Sequence, residues 1–352
     1  MSELLSEGKT TWRSPSNIAL IKYWGKHGRQ LPRNASISFT LSQAYTETSL
    51  LFEKKKETSD AISLEFLFEQ KKQEAFEIKL KKYLTEMLEF IPVLSQYHLR
   101  IQSSNSFPHS TGIASSASSM SALAMCLTDM ENEILHPETE TSLRLQKASK
   151  LARLGSGSAC RSIYPSMAVW GKHPHIPDSA DEYAIPYTDH IHPVFKTYKD
   201  AILIVSSTEK EVSSRAGHAL MENNYFASSR YRQADDNMSE IIIALKSADL
   251  EHFCEIVENE ALTLHALMMA SQPSFMLLKP NTLKIIDLLK TFRKENNVPL
   301  CFTLDAGPNL HLLYPQEYAL QAETFIEQEL LGYCENRKVI YDSVGIGPEK
   351  IN

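Results

Sequence analysis

The chain has 352 residues, of which 43% are hydrophobic and 22% charged, proportions that exclude a disordered or fibrous protein. Its 36 Lys plus Arg against 43 Asp plus Glu leave a formal net charge of -7, which argues against a general nucleic-acid binder because such a protein needs a basic face. Any polyanion must therefore be met by local clusters.

Strand patterns come first: Ile18 to Tyr23, then Ala35 to Leu41, where Ile37, Phe39 and Leu41 alternate with Ser36, Ser38 and Thr40, then Thr46 to Phe52 and Ile62 to Phe68. Leu80, Leu84, Met87 and Leu88 recur at helical spacing and predict a helix from Glu77 to Phe90, after which His98 to Gln102 returns to strand. The Ser-, Gly- and Ala-rich stretch 103–127 passes from a loop into a helix carrying Met120, Leu123, Ala124 and Leu127. Another helix covers Glu140 to Leu154, and Ser166 to Trp170 reads as strand. Residues 173–193 are rich in Pro, His and Asp without periodicity and place a domain boundary near 195, giving units 1–195 and 196–352. Beyond it Ala201 to Ser206 is strand, helical patterns cover 234–247, 250–269, 281–295 and 316–331, and strands fall at 300–305, 309–314 and 338–343. Strands and helices interleave in both halves, so the class is α+β or α/β.

Five cysteines without a CxxC pair exclude a zinc ribbon and a disulfide framework and fit a reducing cytoplasm. The polar start MSELLSEGKTTWR lacks a signal peptide's apolar core, and no apolar run approaches the ~20 residues that span a bilayer. No membrane attachment is expected.

Only 12 glycines occur, so those in dense turns are informative. FPHSTGIASSAS, 107–118, places small hydroxyl residues just before a helix. Such a loop exposes backbone N–H groups, the helix start adds positive potential, and the hydroxyls can donate to phosphate or ligate a divalent cation. The same composition suits a helix-packing segment, and the run is neither GxxxxGK[ST] nor GxGxxG. NIALIKYWGKHG, 17–28, ends a strand with Lys22, Tyr23, Lys26 and Arg29 nearby, either as an anion site or as a solvated strand end. In GSGSACRS, 155–162, Ser156, Ser158 and Arg161 follow a helix bearing Arg153, and guanidinium suits bidentate capture of carboxylate or phosphate. In TLDAGPN, Asp305 ends an apolar strand as either a turn former or a held acid or base. His173, His175, His190 and His192 form two HxH pairs without a fixed ligand geometry, and zinc is set aside.

Taken in order and spacing, NIALIKYWGK, FPHSTGIASSAS with its small-residue helix, GSGSACRS, EVSSRAGH at 211–218 and DAGPN resemble the mevalonate diphosphate decarboxylase family of the GHMP kinase superfamily. The resemblance implies an α+β, two-domain GHMP kinase fold with the active site in the interdomain cleft, residues 1–195 forming the ATP-binding domain and 196–352 the C-terminal domain. It implies ATP-dependent conversion of mevalonate 5-diphosphate to isopentenyl diphosphate, carbon dioxide, ADP and phosphate, with ATP and Mg2+ as cofactors. Lys22, Tyr23, Trp24, Gly25 and Lys26 would contact the substrate's diphosphate or orient the catalytic group. Ser156, Gly157, Ser158, Ala159 and Cys160 would hold the substrate, with Arg161 on its carboxylate. Ser214 and Arg215 would meet the diphosphate, and Asp305 would face the tertiary hydroxyl, making Asp305, Arg161 and Lys22 the catalytic set. Ser110, Gly112, Ala114, Ser115, Ser116 and Ser118 would cradle the ATP phosphates, with Ser116 ligating the metal.

The loop reads PHSTGIASS where the family pattern is nearer PTAAGLASS, and the 63–80 stretch offers no obvious counterpart to the family's adenine-side segment. A related kinase, a monophosphate decarboxylase and a non-catalytic ligand-binding relative are the alternatives, and Asp305 together with Arg161 favours the full reaction. The expected partners are small molecules rather than nucleic acid or membrane. No dimer seam is legible, which leaves a homodimer open.

Overall fold

The computed structural model describes residues 5–57, 59–107, 113–135, 140–189, 191–208 and 214–351. The N-terminal half runs β1 (Glu7–Ala19), β2 (Lys26–His27), β3 (Leu31–Pro32), β4 (Ser36–Lys54), β5 (Ser63–Phe68), β6 (Lys71–Lys72), α1 (Glu74–Met87), β7 (Tyr97–Asn105), α2 (Ser115–Leu135), α3 (Thr141–Gly155), β8 (Met167–Trp170) and β9 (Ala184–Pro186). The rest runs β10 (Lys199–Leu203), α4 (Ser214–Ala219), α5 (Ala227–Ser247), α6 (Leu250–Met269), α7 (Pro280–Asn296), β11 (Cys301–Leu304), β12 (Leu310–Tyr314), α8 (Ala319–Phe325), β13 (Val339–Ser343) and β14 (Glu349–Ile351).

The first sheet has the order β14-β1-β4-β7-β5-β6, with β8 on β4 and β9 on β8, and among the described residues only β5 and β7 pair in parallel. Leu50, Phe52, Leu99 and Ile101 form its apolar face, which packs against Leu84 and Met87 of α1, Leu123 and Leu127 of α2, and Leu151 of α3. The second sheet, β11-β12-β10-β13, is antiparallel throughout. Its core joins Leu203, Phe302 and Leu312 to Ile285 and Leu289 of α7. A third cluster joins the halves, with Ile18, Ile37, Phe39 and Val169 from the first sheet meeting Met238 of α5 and Phe253 and Val257 of α6. Each such side chain contributes roughly 1.5–3 kcal/mol over exposure, so the joint is an apolar core and fixes one half on the other.

Several elements depart from the pattern in the sequence. The strands expected at 35–41 and 46–52 are one strand, β4, whose pairing with β1 shifts register between Pro15 and Asn17. The amides of Ser42, Gln43 and Ala44 in that irregular stretch donate to the Asp342 carboxylate at 2.8 Å, which satisfies them without a neighbouring strand. The strand expected at 18–23 instead runs Glu7–Ala19 and stops short of Tyr23, where the Lys22 N–H donates to Glu260 Oε2 at 2.8 Å and its C=O accepts from Arg230 Nη2 at 3.2 Å, both from the other half. The helix expected over 316–331 breaks into a 3-10 turn (Gln316–Tyr318), α8 and a π-helical turn (Ile326–Leu330).

β14 has no strand signal in the sequence, yet it returns from the second half to pair with β1. Lys350 Nζ anchors it to Asp129 Oδ2 at 2.7 Å. Among the described residues no helix is long and apolar enough to cross a membrane.

Candidate active site

The end of β1, the turn after β11, and the segments opening α2 and following α3 converge at the joint. Lys22 is 2% exposed, and its Nζ donates to Asp305 Oδ1 at 3.1 Å. Burial lowers the Lys22 pKa, and the carboxylates of Asp305 and Glu260 oppose that shift. The Asp305 backbone is also fixed, because its carbonyl can only accept and therefore takes a hydrogen bond from His265 Nε2 at 3.1 Å.

Beside this pair, the turn Tyr23–Trp24–Gly25 wraps the ring of His218 from α4. Centroid distances are 4.3 Å to Tyr23 and 4.5 Å to Trp24. The Gly25 N–H donates to His218 Nδ1 at 3.0 Å, which leaves the ring proton on Nε2. Desolvation, with Lys26 adding to it, lowers the His218 pKa to about 3, so the ring is neutral at physiological pH. Gly25 has φ +96°, and a Cβ there would also lie 2.3 Å from the Tyr231 hydroxyl oxygen, so the turn requires glycine.

A 3-10 helix over Gly157–Ile163 follows α3. Its three-residue repeat puts Ser158 and Arg161 on one side, toward the cavity, and Ala159 and Cys160 inside the core. Arg161 is 1% exposed, and it donates to Ser36 Oγ at 2.7 Å, Ser38 Oγ at 3.0 Å and Asn17 Oδ1 at 3.4 Å. Burial lowers its pKa. A Cβ on Gly157 would lie 2.9 Å from both Tyr23 and Trp170, which makes that position a close approach only glycine permits.

Lys22, Tyr23, Trp24, Arg161 and Asp305 line a cavity of about 430 Å3 together with Asn17, Ser156, Gly157, Ser158 and His218. A second cavity of about 630 Å3 shares Lys26, Gln30, Lys79, Ser116 and Gly155 with it and adds an apolar wall of Phe66, Phe68, Phe76, Tyr83, Ile101 and Leu123. The first turn of α2 lies where the two meet. Ala114 holds φ +41° there, and Ser116 Oγ is 3.2 Å from Ser156 Oγ.

Most of the residues expected from the sequence lie together here, and several do not. Ser115, Ser116 and Ser119 of α2 face the cavities, whereas Ser118 is fully buried on the opposite side, with its Oγ 2.6 Å from Thr46 Oγ. Ser118, Ala159 and Cys160 thus sit in the protein core and not at the ligand surface. Arg153 likewise faces away from the site and holds the carbonyls of Arg29 and Glu182. Ser214 and Arg215 open α4, but their side chains lie outside the described set, as do Ser110, Gly112 and His190. Asn17, His218, Lys79 and the Phe66–Phe68–Phe76 wall were not singled out by sequence. These three aromatics lie in the 63–80 stretch. Among the described residues no group of three or more His, Cys, Asp or Glu could hold a metal ion.

Two α+β domains sharing a cleft, with a helix N-terminus at one side and a lysine–aspartate pair at the other, define a GHMP kinase-type protein. Residues 14–182 match the model of the Diphosphomevalonate decarboxylase-like N-terminal domain, and residues 201–350 match that of the Mevalonate 5-diphosphate decarboxylase C-terminal domain. The chain is 30% identical to a Candida albicans diphosphomevalonate decarboxylase over 314 residues, covering 86% of this chain and 83% of the relative. Its fold matches the mevalonate diphosphate decarboxylase of Staphylococcus aureus with a TM-score of 0.83, at 30% identity and 98% coverage of both chains. It matches MDDEF in complex with MVAPP, AMPPCP and magnesium with a TM-score of 0.81, at 28% identity and over 99% of this chain and 100% of that one. The chain belongs to the diphosphomevalonate decarboxylase family.

Proposed function

We infer that this chain is the enzyme that converts (R)-mevalonate 5-diphosphate and ATP to isopentenyl diphosphate, carbon dioxide, ADP and phosphate, within the mevalonate route to isoprenoids. The observation that carries this reading is the Lys22–Asp305 pair beside Arg161 in a cavity that shares Lys26, Lys79 and Ser116 with an apolar-walled neighbour. The two cavities provide for two ligands with phosphates at their common edge.

The aromatic wall takes the nucleotide base, and the α2 N-terminus with Lys26, Lys79 and Ser116 takes the phosphates. Mg2+, when bound, neutralises phosphate charge. The donor set fits a magnesium held chiefly by those phosphates, with the Ser116 hydroxyl as the protein's contribution.

In the neighbouring cavity Asp305 faces the substrate's tertiary hydroxyl and aligns or accepts its proton as the oxygen is phosphorylated, while Lys22 holds the carboxylate in place. Arg161 uses three contacts to protein oxygens and has five N–H donors, so two remain to clamp the substrate carboxylate. Departure of the phosphorylated oxygen leaves positive charge on carbon, which Asp305 stabilises. The electron pair of the bond to the carboxylate then becomes the new double bond, and carbon dioxide leaves.

Lys26 receives the substrate's diphosphate, and the neutral His218 packs beside it. Five free cysteines, Cys126, Cys160, Cys254, Cys301 and Cys334, accord with a cytoplasmic setting. The test is ADP release by purified protein with ATP and either mevalonate 5-diphosphate or its 5-monophosphate. The diphosphate should be preferred roughly tenfold or more in kcat/KM, because the site commits cationic donors to it. Preference for the monophosphate would move the reading to a phosphomevalonate decarboxylase.

A further inference from the structure

The residue that orients Asp305 is itself held by a charged pair that never reaches the cavity. Arg230 of α5 and Glu260 of α6 are both fully buried, with Nη1–Oε1 at 2.6 Å and Nη2–Oε2 at 2.5 Å. Each also grips the Lys22 backbone: Glu260 Oε2 accepts the Lys22 N–H at 2.8 Å, and Arg230 Nη2 donates to the Lys22 carbonyl at 3.2 Å. Asn34 Nδ2 adds a second donor to that carbonyl at 3.1 Å, and Asn237 Nδ2 steadies Glu260 Oε1 at 2.7 Å.

We propose that the Arg230–Glu260 pair is a positioning device for Lys22, fixing the backbone on both sides of the residue so that its ammonium meets Asp305. This rests on the reading of Lys22 and Asp305 given above. Three features favour positioning over simple packing. A buried ion pair is weak as a source of stability, since apolar replacements of similar volume are often neutral or stabilising. Each member of this one directs a hydrogen bond to the backbone of Lys22, three residues past the end of β1, so the pair stands in for the strand pairing that would otherwise set the Lys22 direction. Lastly, α6 holds the other member of the catalytic pair as well, through His265 to the Asp305 carbonyl. One helix thus registers Lys22 from the first half against Asp305 from the second, with Glu260 and His265 five residues apart along it.

The experiment compares wild-type enzyme with Arg230→Lys and with the double variant Arg230→Met/Glu260→Met, reading kcat, both KM values and the thermal midpoint. Arg230→Lys keeps the charge beside Glu260 but loses the fork that also reaches the Lys22 carbonyl. The double variant removes both charges together and so leaves no uncompensated ion. Misplacing the reacting groups by about an ångström lowers turnover on the order of 100-fold, so the double variant should keep both KM values while kcat falls about 10- to 100-fold, with the melting midpoint lowered only by the unpaired Lys22 N–H. Arg230→Lys should fall in kcat by a smaller factor, again without a change in KM. A double variant with wild-type stability and wild-type kcat overturns the proposal and leaves the pair a structural element. Should the double variant fail to fold, Arg230→Lys decides alone, and undiminished kcat overturns the proposal. Absence of decarboxylation by the wild-type protein would instead sink the functional reading on which the proposal stands.

Discussion

Lys22 and Asp305, 283 positions apart in the chain, form a 3.1 Å ion pair across the joint between the two halves. The Lys22 side chain is 2% exposed and that of Asp305 29%, so the lysine is the buried anchor and the aspartate the member that meets the cavity. Under the proposed function, this asymmetry gives the reacting role to Asp305 and the orienting role to Lys22.

Asp305→Asn preserves size and removes the charge. Turnover should drop roughly 100-fold or more, the range for a positioned acid or base, while the fold persists. Wild-type turnover in the variant would make Asp305 a turn residue.

The Lys22 pKa is lowered by burial, against the pull of Asp305 and Glu260, with Arg161 adding to the lowering. If the ammonium is the working form, activity is present below that pKa and is lost as pH rises through it. The alkaline limb of kcat/KM should therefore lie below the ordinary lysine value of about 10.4. Lys22→Met should abolish the limb along with most of the rate. A wild-type profile flat up to that value would contradict a charged Lys22 role.

His218 should stay uncharged across the working range, since its pKa is lowered to about 3 by burial and by Lys26. Nitrogen-15 NMR of the imidazole should report the Nε2–H tautomer with no titration between about pH 5 and 8, where an ordinary histidine changes charge. A midpoint in that interval would mean the Gly25 contact does not hold in solution.

Ser116 and Ser118 should behave oppositely although two positions apart. Ser116→Leu should weaken a non-hydrolysable ATP analogue on the order of tenfold in calorimetry with little change in stability, because it intrudes where the two cavities meet. Ser118→Leu overpacks a fully buried site against Thr46 and should cost about 1–3 kcal/mol of stability. Equal nucleotide affinity in Ser116→Leu and wild type would move the phosphates elsewhere.

The contrast between these serines shows what the sequence carries. Motifs that pair glycine with hydroxyl, basic or acidic side chains pointed to Lys22, Arg161 and Asp305, because such residue types at strand and helix ends have few structural substitutes. Which residues of a motif face the ligand depends on helical phase. In α2 residues 115, 116, 119, 120 and 123 face the larger cavity, and Ser118 points into the core. In the 3-10 turn, Ser158 and Arg161 line the cavity and Ala159 and Cys160 lie in the core. The apolar wall of the larger cavity stays hidden because Phe66, Phe68 and Phe76 are indistinguishable in sequence from core aromatics. The Arg230–Glu260 clamp was equally invisible, since a charged pair on two amphipathic helices reads as solvated surface until the halves are docked. β14 was missed because three residues are too few to show an alternation.

Arg161→Gln keeps a polar side chain but loses the charge and the fork. Losing a desolvated bidentate contact to the substrate carboxylate should cost on the order of 2 to 4 kcal/mol in transition-state stabilisation, read as kcat/KM. A variant within a factor of two of wild type would remove Arg161 from the carboxylate.

Product stoichiometry separates a decarboxylase from a kinase: mevalonate 5-diphosphate labelled in its carboxylate is incubated with ATP, Mg2+ and enzyme, and labelled carbon dioxide and ADP are counted together. Wild-type protein should release one carbon dioxide for each ADP, and Asp305→Asn should lose both in parallel. ADP formed with a stable phosphorylated acid and no carbon dioxide would contradict the decarboxylase reading and make the protein a kinase.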